Sequence, residues 1–161
     1  SHFIEAAYPA SCTNRKTCNK ATWISDGNGN RTYYTYHADS GQIATVTSPA
    51  NERGITPQIR YTYARMFAKY KINSSAVSTS PDGIWLLDKE SYCADSNYSG
   101  GSCQGGDEIV TQYQYDTANL QLIGKAVTAN GITLRTCYRY DIYGNQIGET
   151  KPNAGLSSCA Y

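Results

Sequence analysis

The stretch Cys137-Tyr-Arg-Tyr-Asp-Ile-Tyr-Gly-Asn145 decides the fold. Its first two tyrosines, Tyr138 and Tyr140, stand two residues apart, and this spacing places both rings on one face of a β-strand. Asp141 and Gly144 follow at the first and fourth positions of a turn, where an Asx hydrogen bond and a positive φ are favourable. The stretch therefore predicts one strand and the turn of a β-hairpin.

The same aromatic pair recurs along the chain. Complete copies are Tyr34-Thr-Tyr36, Tyr61-Thr-Tyr63 and Tyr113-Gln-Tyr115, and Trp85-Leu-Leu87 is a degenerate copy. Counted from Tyr36, the second residues of successive copies are separated by 27, 24, 28 and 25 residues, a period of about 26. Two turns in each period leave no room for helices. We therefore predict an all-β chain of about four to five consecutive antiparallel β-hairpins in one curled sheet, with no helix longer than about two turns.

Some details of the hairpins are also predicted. The segment from Tyr63 to Lys71 has some helical propensity, but its alternating large residues favour one long strand. Asn119 is expected to be the left-handed residue of the turn after Tyr115. Return strands are expected at residues 42–47, 120–123 with 126–128, and 146–150. When such hairpins stack side by side, equivalent tyrosines of neighbouring hairpins are expected to form ladders with a spacing of about 5 Å. The tyrosines expected in these ladders are Tyr36, Tyr63, Tyr115 and Tyr140.

The composition favours a folded chain. Leu, Ile, Val and Phe make up only 24 of 161 residues, a low content that raises the possibility of disorder. A net charge of +1 and the apolar area of 15 tyrosines argue against disorder. No cluster of Lys and Arg is present, and no stretch approaches the apolar length of a membrane span. We therefore predict neither a nucleic-acid partner nor membrane insertion.

Six cysteines indicate an oxidising compartment, with reduced cytosolic thiols as the alternative. No pair has the spacing of a zinc site. Fifteen connectivities are possible, and short loops favour local pairing: Cys12–Cys18, Cys93–Cys103 and Cys137–Cys159. We predict an N-terminal segment, residues 1–19, with a short disulfide loop, and a hairpin array, residues 20–161. A Gly- and Ser-rich loop at residues 91–107 interrupts the array.

Two stretches carry a resemblance to a known family. Asp26-Gly-Asn-Gly-Asn-Arg-Thr-Tyr-Tyr-Thr-Tyr36, continued by Gly41-Gln-Ile43 and Val46-Thr-Ser-Pro49, resembles the YD repeat of the RHS (rearrangement hotspot) family. The stretch that begins at Cys137 and continues to Glu149-Thr-Lys-Pro152 resembles a second copy. With weaker copies, the resemblance covers roughly residues 20–155. The chain departs from the family pattern at three positions. His37 and Ala64 stand where the family has Asp, and Phe67 stands where it has Gly.

The resemblance implies an architecture and a role. Proteins with such repeats include polymorphic-toxin carriers, insecticidal toxin components, bacterial wall-associated proteins and animal teneurins, in which the repeats build a hollow β-shell. The chain is too short to close such a shell and is expected to be a fragment of a longer array. The implied function is a non-catalytic structural segment of a large secreted or cell-surface protein. Its partners would be adjacent repeats and an enclosed toxin domain or a surface glycan, and exposed edges would favour edge-to-edge self-association.

An alternative function is a carbohydrate- or partner-binding surface. Aromatic rings on a polar sheet can stack on sugar rings, and the candidates are Trp23, Tyr33, Trp85 and Tyr143.

No catalytic residue, metal site or cofactor is predicted. Asp26-Gly-Asn-Gly-Asn30 resembles the start of a calcium loop, but Arg31 and His37 occupy the positions that need Gly and Glu. A Gly-rich hairpin turn explains the same residues. Paired carboxylates for glycoside hydrolysis could be drawn from Asp88, Glu90, Asp107 and Glu108, but sequence spacing does not set their separation. We predict that the chain is not an enzyme.

Overall fold

β-Strands occupy the aromatic repeats in the computed structural model, which describes residues 3–152 and 155–159. The strands are β1 (Ala6–Ala7), β2 (Trp23–Ser25), β3 (Arg31–Tyr36), β4 (Ile43–Thr47), β5 (Gln58–Met66), β6 (Lys69–Lys71), β7 (Val77–Thr79), β8 (Ile84–Cys93), β9 (Tyr98–Ser99), β10 (Ser102–Cys103), β11 (Glu108–Tyr115), β12 (Leu122–Ala129), β13 (Ile132–Tyr140) and β14 (Gln146–Glu149). The described residues contain no helix, and the all-β prediction is confirmed. Across those two ranges, no helix has the length and apolar character needed to cross a membrane.

The chain packs as two units. Unit 1 comprises Ser1–Tyr61 and Ser91–Ile109, and unit 2 comprises Thr62–Glu90 and Val110–Tyr161. In unit 1 the strand order is β1-β2-β3-β4-β5, and β9 pairs with β10 in a separate hairpin. In unit 2 the order is β5-β8-β11-β12-β13-β14, and β6 pairs with β7. The predicted division at residues 19 and 20 stays a prediction.

Three hairpins share the same irregularity. In β3–β4, β11–β12 and β13–β14, the pairing shifts register immediately before the second tyrosine of the Tyr-x-Tyr pair. Such a shift marks a β-bulge, which bends the strand and strengthens its twist. The tyrosines at these shifts are Tyr36, Tyr115 and Tyr140. The aromatic repeat in the sequence therefore corresponds to a repeated backbone feature.

Asp26 and Asp141 begin two turns with the same hydrogen bonds. The backbone N–H of Asn30 donates to Asp26 Oδ1 at 2.9 Å, and its side-chain amide donates to Oδ2 at 2.9 Å. Asn145 makes both bonds to Asp141 at the same distances. Gly144 has a φ of +87°, as the sequence predicts for the turn after Tyr140.

The turn after Tyr115 differs from its prediction. Its left-handed residue is Leu120, with a φ of +62°, and not Asn119. The turn is one residue longer than the Asp141 turn, since the Asp116 N–H donates to the Gln121 carbonyl. His37 begins a turn of the same length, and its Nδ1 accepts the Ser40 N–H at 3.3 Å. The imidazole therefore takes the place that a carboxylate has at Asp116.

Other local predictions also need correction. Strand β5 ends at Met66, and the predicted long strand to Lys71 is broken at Phe67 and Ala68. The two return segments predicted at 120–123 and 126–128 are one strand, β12, which begins only at Leu122. No turn follows Trp85-Leu-Leu87, because β8 continues through Asp88 to Cys93.

The predicted ladder of neighbouring tyrosines is wrong. Tyr115 lies on β11 and Tyr140 on β13, with β12 between them. Tyr115 faces Leu122 across its hairpin, and Tyr140 faces Gln146. Each of these hairpins adds two strands to the sheet, so equivalent rings are separated by about 10 Å instead of about 5 Å.

The three predicted disulfides are all present. Three disulfides in one small chain are typical of an oxidising, extracellular or periplasmic environment. Cys137–Cys159 holds residues 155–159 against β12 and β13 in unit 2. There Gln114 donates to the Cys159 carbonyl at 2.7 Å and accepts its N–H at 3.2 Å. Gly124 lies under the Cys159 sulfur, where a Cβ atom would overlap it.

Candidate functional site

Two of the predicted aromatic residues meet on one face of the sheet in unit 1. Trp23 on β2 lies directly opposite Tyr33 on β3, so both side chains point to the same face. Tyr33 is 49% exposed, whereas Trp23 is half-buried. The Arg31 guanidinium lies over the Trp23 ring, 3.9 Å from its centroid. This cation–π contact fixes the indole and places a positive charge beside it.

Polar side chains extend this aromatic pair across unit 1. Tyr33 faces Thr47 on β4, and Thr47 faces Gln58 on β5. The Gln58 amide donates to the Thr47 hydroxyl at 2.9 Å. The resulting row, hereafter the aromatic row, offers two rings followed by hydroxyl and amide groups on one side of a sheet: Trp23, Tyr33, Thr47 and Gln58.

The other two aromatic candidates lie in unit 2 and remain apart from each other. Trp85 is half-buried on β8. Tyr143 is 83% exposed in the turn after β13. Strands β11 and β12 separate β8 from β13, so these residues do not form a common platform. The predicted set of four therefore contains one pair of neighbours, Trp23 and Tyr33.

Sequence reasoning missed an arginine-centred cluster in unit 1. Arg60 donates from Nη2 to Glu108 Oε1 at 2.7 Å and to the Ser91 hydroxyl at 3.0 Å. Its guanidinium also lies 3.6 Å from the centroid of the Tyr98 ring. The Arg60 side chain is only 13% exposed, and its Nη1 is buried without a partner among the described residues. The period-two pattern of β5 predicts the face of Arg60 but gives no signal for partners 31 to 48 residues away.

This cluster fixes the inserted loop at residues 91–107. Asp95 pairs with Arg53, and the Asn97 side chain accepts the Thr56 N–H at 2.7 Å. Together with the Arg60–Tyr98 contact and the Cys93–Cys103 disulfide, these bonds tie the loop to the rest of unit 1. The loop is therefore part of the unit's packed structure.

Three of the four candidate carboxylates, those of Asp88, Asp107 and Glu108, have structural partners. Asp88 accepts the Gln112 amide at 2.7 Å, and Asp107 accepts the Ser96 hydroxyl. Glu108 belongs to the Arg60 cluster. Asp88 and Glu90 belong to unit 2, whereas Asp107 and Glu108 belong to unit 1.

One group of potential metal ligands lies in the inserted loop. Ligand atoms of Cys93, Cys103 and Asp107 lie within 4.8 Å of one another. The two sulfurs are joined in a disulfide and therefore carry no thiolate to bind a metal. Asp107 accepts hydrogen bonds from Ser96 and from the Asp95 N–H, which explains its position in the loop.

The Asp26 turn fits a structural role better than a calcium loop. The Asp26 carboxylate accepts two backbone N–H groups and the Asn30 amide. These bonds, the Asn30 side chain first, lower the pKa of Asp26 below its ordinary value of 3.8. The Asn145 side chain lowers the pKa of Asp141 in the same way.

Three tyrosine hydroxyls recur in an equivalent position. Tyr36 donates to the Ala21 carbonyl at 2.8 Å, Tyr115 to Leu87 at 2.8 Å and Tyr140 to Leu122 at 2.7 Å. Burial raises the pKa of Tyr36 and of Tyr115, and the charge of Asp88 adds to the effect at Tyr115. We call these three residues the clamp tyrosines.

No family model matches the chain, and no curated protein matches it.

Proposed function

We propose that this chain is a non-catalytic structural segment of a larger secreted or cell-surface protein, built from repeats that resemble the YD repeat of the RHS family. The observation that carries the proposal is the threefold recurrence of the clamp tyrosine. Each clamp tyrosine stands at a β-bulge, and each hydroxyl bonds to a backbone carbonyl near the preceding neighbouring strand. A side chain that repeatedly fastens one hairpin to the strand before it serves the construction of a continuous sheet.

The edge of unit 2 supports continuation of such a sheet. Strand β14 ends the strand order of the described residues and pairs on one side with β13. An edge strand offers unpaired backbone groups to a further strand. Ile147 on this strand is 53% exposed. In the proposed parent protein, an adjacent repeat covers this edge, and the β-wall encloses a toxin domain or presents an adhesive surface.

Edge pairing can be measured by sedimentation velocity over a hundredfold range of concentration. We expect concentration-dependent self-association, because the free edge of one copy can pair with that of another. Ile147→Lys places a charge on the edge strand and should abolish the association. Ile142→Lys is the matched control, since Ile142 is 91% exposed but lies in the turn before β14. A monomer at every concentration would overturn the repeat-segment proposal.

The aromatic row favours a second candidate function, a carbohydrate-binding surface. Its support is the placement of Trp23 and Tyr33 as direct neighbours, followed by the Thr47 and Gln58 hydrogen-bonding groups. Rings of this kind stack on the apolar faces of sugars, and adjacent polar groups bind their hydroxyls.

Glycan-array binding separates the two candidates. The surface-binding function predicts that Trp23→Ala and Tyr33→Ala abolish any glycan signal while Tyr143→Ala retains it. A signal that survives both substitutions would exclude the aromatic row as the binding surface. The repeat-segment function predicts no dependence of self-association on Trp23 or Tyr33.

A further inference from the structure

A cleft of about 500 Å³ opens between the last strands of unit 2. Its volume falls in the range of about 300–1,000 Å³ that is common for small-molecule sites. The lining residues come from β12, β13 and β14 and from the three positions that follow β14: Lys125, Thr136, Tyr138, Glu149, Thr150, Lys151 and Pro152. This cleft is distinct from the aromatic row, which lies in unit 1.

The strand register brings these side chains to one face. Lys125 on β12 lies opposite Thr136 on β13, and Tyr138 lies opposite Glu149 on β14. Thr136 and Tyr138 are two residues apart on one strand and therefore point the same way. The cleft is thus built on paired strands, and the Thr150 hydroxyl also accepts the Cys137 N–H at 2.9 Å.

The lining has more positive than negative charge. Neither Lys125 nor Lys151 forms an ion pair in the part of the chain that the structure describes. Glu149 is the single carboxylate among the lining residues. Its Oε2 accepts the Gln146 amide at 3.4 Å. Two ammonium groups beside one carboxylate give the lining a net charge of +1.

We propose that this cleft binds a carboxylate-bearing sugar, such as a hexuronate unit of an acidic polysaccharide. The Lys125 and Lys151 ammonium groups bind the sugar carboxylate. Glu149 accepts hydrogen bonds from sugar hydroxyls, which a simple inorganic anion does not offer. The Tyr138 ring and Pro152 supply apolar surface for one face of the sugar ring. The combination of cationic, acceptor and apolar groups fits an acidic sugar better than a neutral sugar or a bare anion.

Nuclear magnetic resonance titration with tri-galacturonate tests the proposal on the intact, oxidised chain. We expect amide shifts centred on Thr136, Tyr138 and Thr150, and an affinity that falls as salt rises. Lys125→Gln and Lys151→Gln should each weaken binding by about tenfold, because each removes a charged donor. Lys71→Gln is the matched control, since Lys71 is an exposed lysine on β6 outside the cleft. Spectra of each variant report whether its fold is retained.

Three results would overturn the proposal. They are an absence of shifts at millimolar tri-galacturonate, equal binding of the neutral galactose trimer, and displacement of the sugar by equimolar inorganic phosphate. Loss of binding in Lys71→Gln would also exclude the cleft as the site. Repeating the titration on Ile147→Lys separates these outcomes from self-association, because Ile147 lies on the edge strand β14 but does not line the cleft.

Discussion

At the scale of single residues, the turns need an acceptor at their first position. Asp26 and Asp141 use a carboxylate, Asn51 uses its amide oxygen and His37 uses Nδ1. Each acceptor takes a backbone N–H two or three residues later, which closes the turn. The departure of His37 from the Asp of the YD pattern therefore preserves the hydrogen bond that the turn requires.

The lowered pKa of Asp26 can be measured directly. Carbon-13 NMR titration of the Asp26 carboxyl should give a midpoint below the ordinary 3.8. Because the folded pKa is depressed, the stabilisation is complete above the unfolded value and is lost as pH falls through the folded pKa. Asn30→Ala should raise the midpoint by removing the side-chain donor. Asn28→Ala is the control and should leave the Asp26 midpoint unchanged, since Asn28 donates through its backbone. A midpoint of 3.8 or higher in the unaltered chain would contradict the proposed effect of the Asn30 side chain.

At the scale of elements, the hairpins are joined by the clamp tyrosines. The Tyr-x-Tyr spacing predicts the strands because period two is a local property of the chain. It does not predict which carbonyl a hydroxyl reaches, since that depends on the neighbouring strand and on the bulge. Leu120 illustrates the same limit, because a turn lengthened by one residue moves the left-handed position past Asn119. The aromatic row and the Arg60 cluster likewise depend on pairings between distant segments, which no local pattern encodes.

Removal of one clamp hydroxyl should weaken the fold. Tyr115→Phe deletes the bond to the Leu87 carbonyl and should lower the free energy of unfolding by about 1 kcal/mol. Tyr143→Phe provides the control, since Tyr143 is 83% exposed in a turn. Urea unfolding followed by circular dichroism compares the two variants. Equal urea midpoints for Tyr115→Phe and Tyr143→Phe would show that the Tyr115 hydroxyl does not stabilise the fold.

At the scale of the whole molecule, disulfides close segments in both units. Cys12–Cys18 and Cys93–Cys103 lie in unit 1, and Cys137–Cys159 lies in unit 2. The fold buries few large side chains, and the buried apolar residues among those described are Cys103, Ala126, Cys137 and Cys159. Because three of these four are disulfide cysteines, cross-links take over part of the role that a hydrophobic core has in other small proteins.

A substitution at Gly124 tests how closely the chain packs beneath the Cys159 sulfur. Gly124→Ala places a methyl group against that sulfur and should destabilise the fold by about 1–3 kcal/mol. Gly148→Ala is matched to it, because Gly148 also lies on a strand but has open space at the Cβ position. Thermal unfolding of both variants measures the difference. A Gly124→Ala variant as stable as Gly148→Ala would contradict the close packing.

The lengths of the closed loops predict which of two disulfides contributes more to the free energy of unfolding. Cys137–Cys159 closes a separation of 22 residues, and Cys12–Cys18 closes one of 6. By restricting the unfolded chain, the disulfide of the longer loop adds about 3 kcal/mol to the free energy of unfolding, and that of the shorter loop adds about 2 kcal/mol. Paired Cys→Ser variants, compared by urea unfolding, should follow that order. The reverse order would mean that native-state contacts outweigh chain entropy.

The direction of the clamp bonds has a consequence for biosynthesis. Tyr36, Tyr115 and Tyr140 donate to carbonyls of Ala21, Leu87 and Leu122, which all precede them in the chain. When a clamp tyrosine leaves the ribosome, its acceptor has therefore already been synthesised. Each clamp bond can therefore form before the return strand of its own hairpin, β4, β12 or β14, has been translated. The strand that carries the tyrosine can attach to finished chain first, and the hairpin closes afterwards.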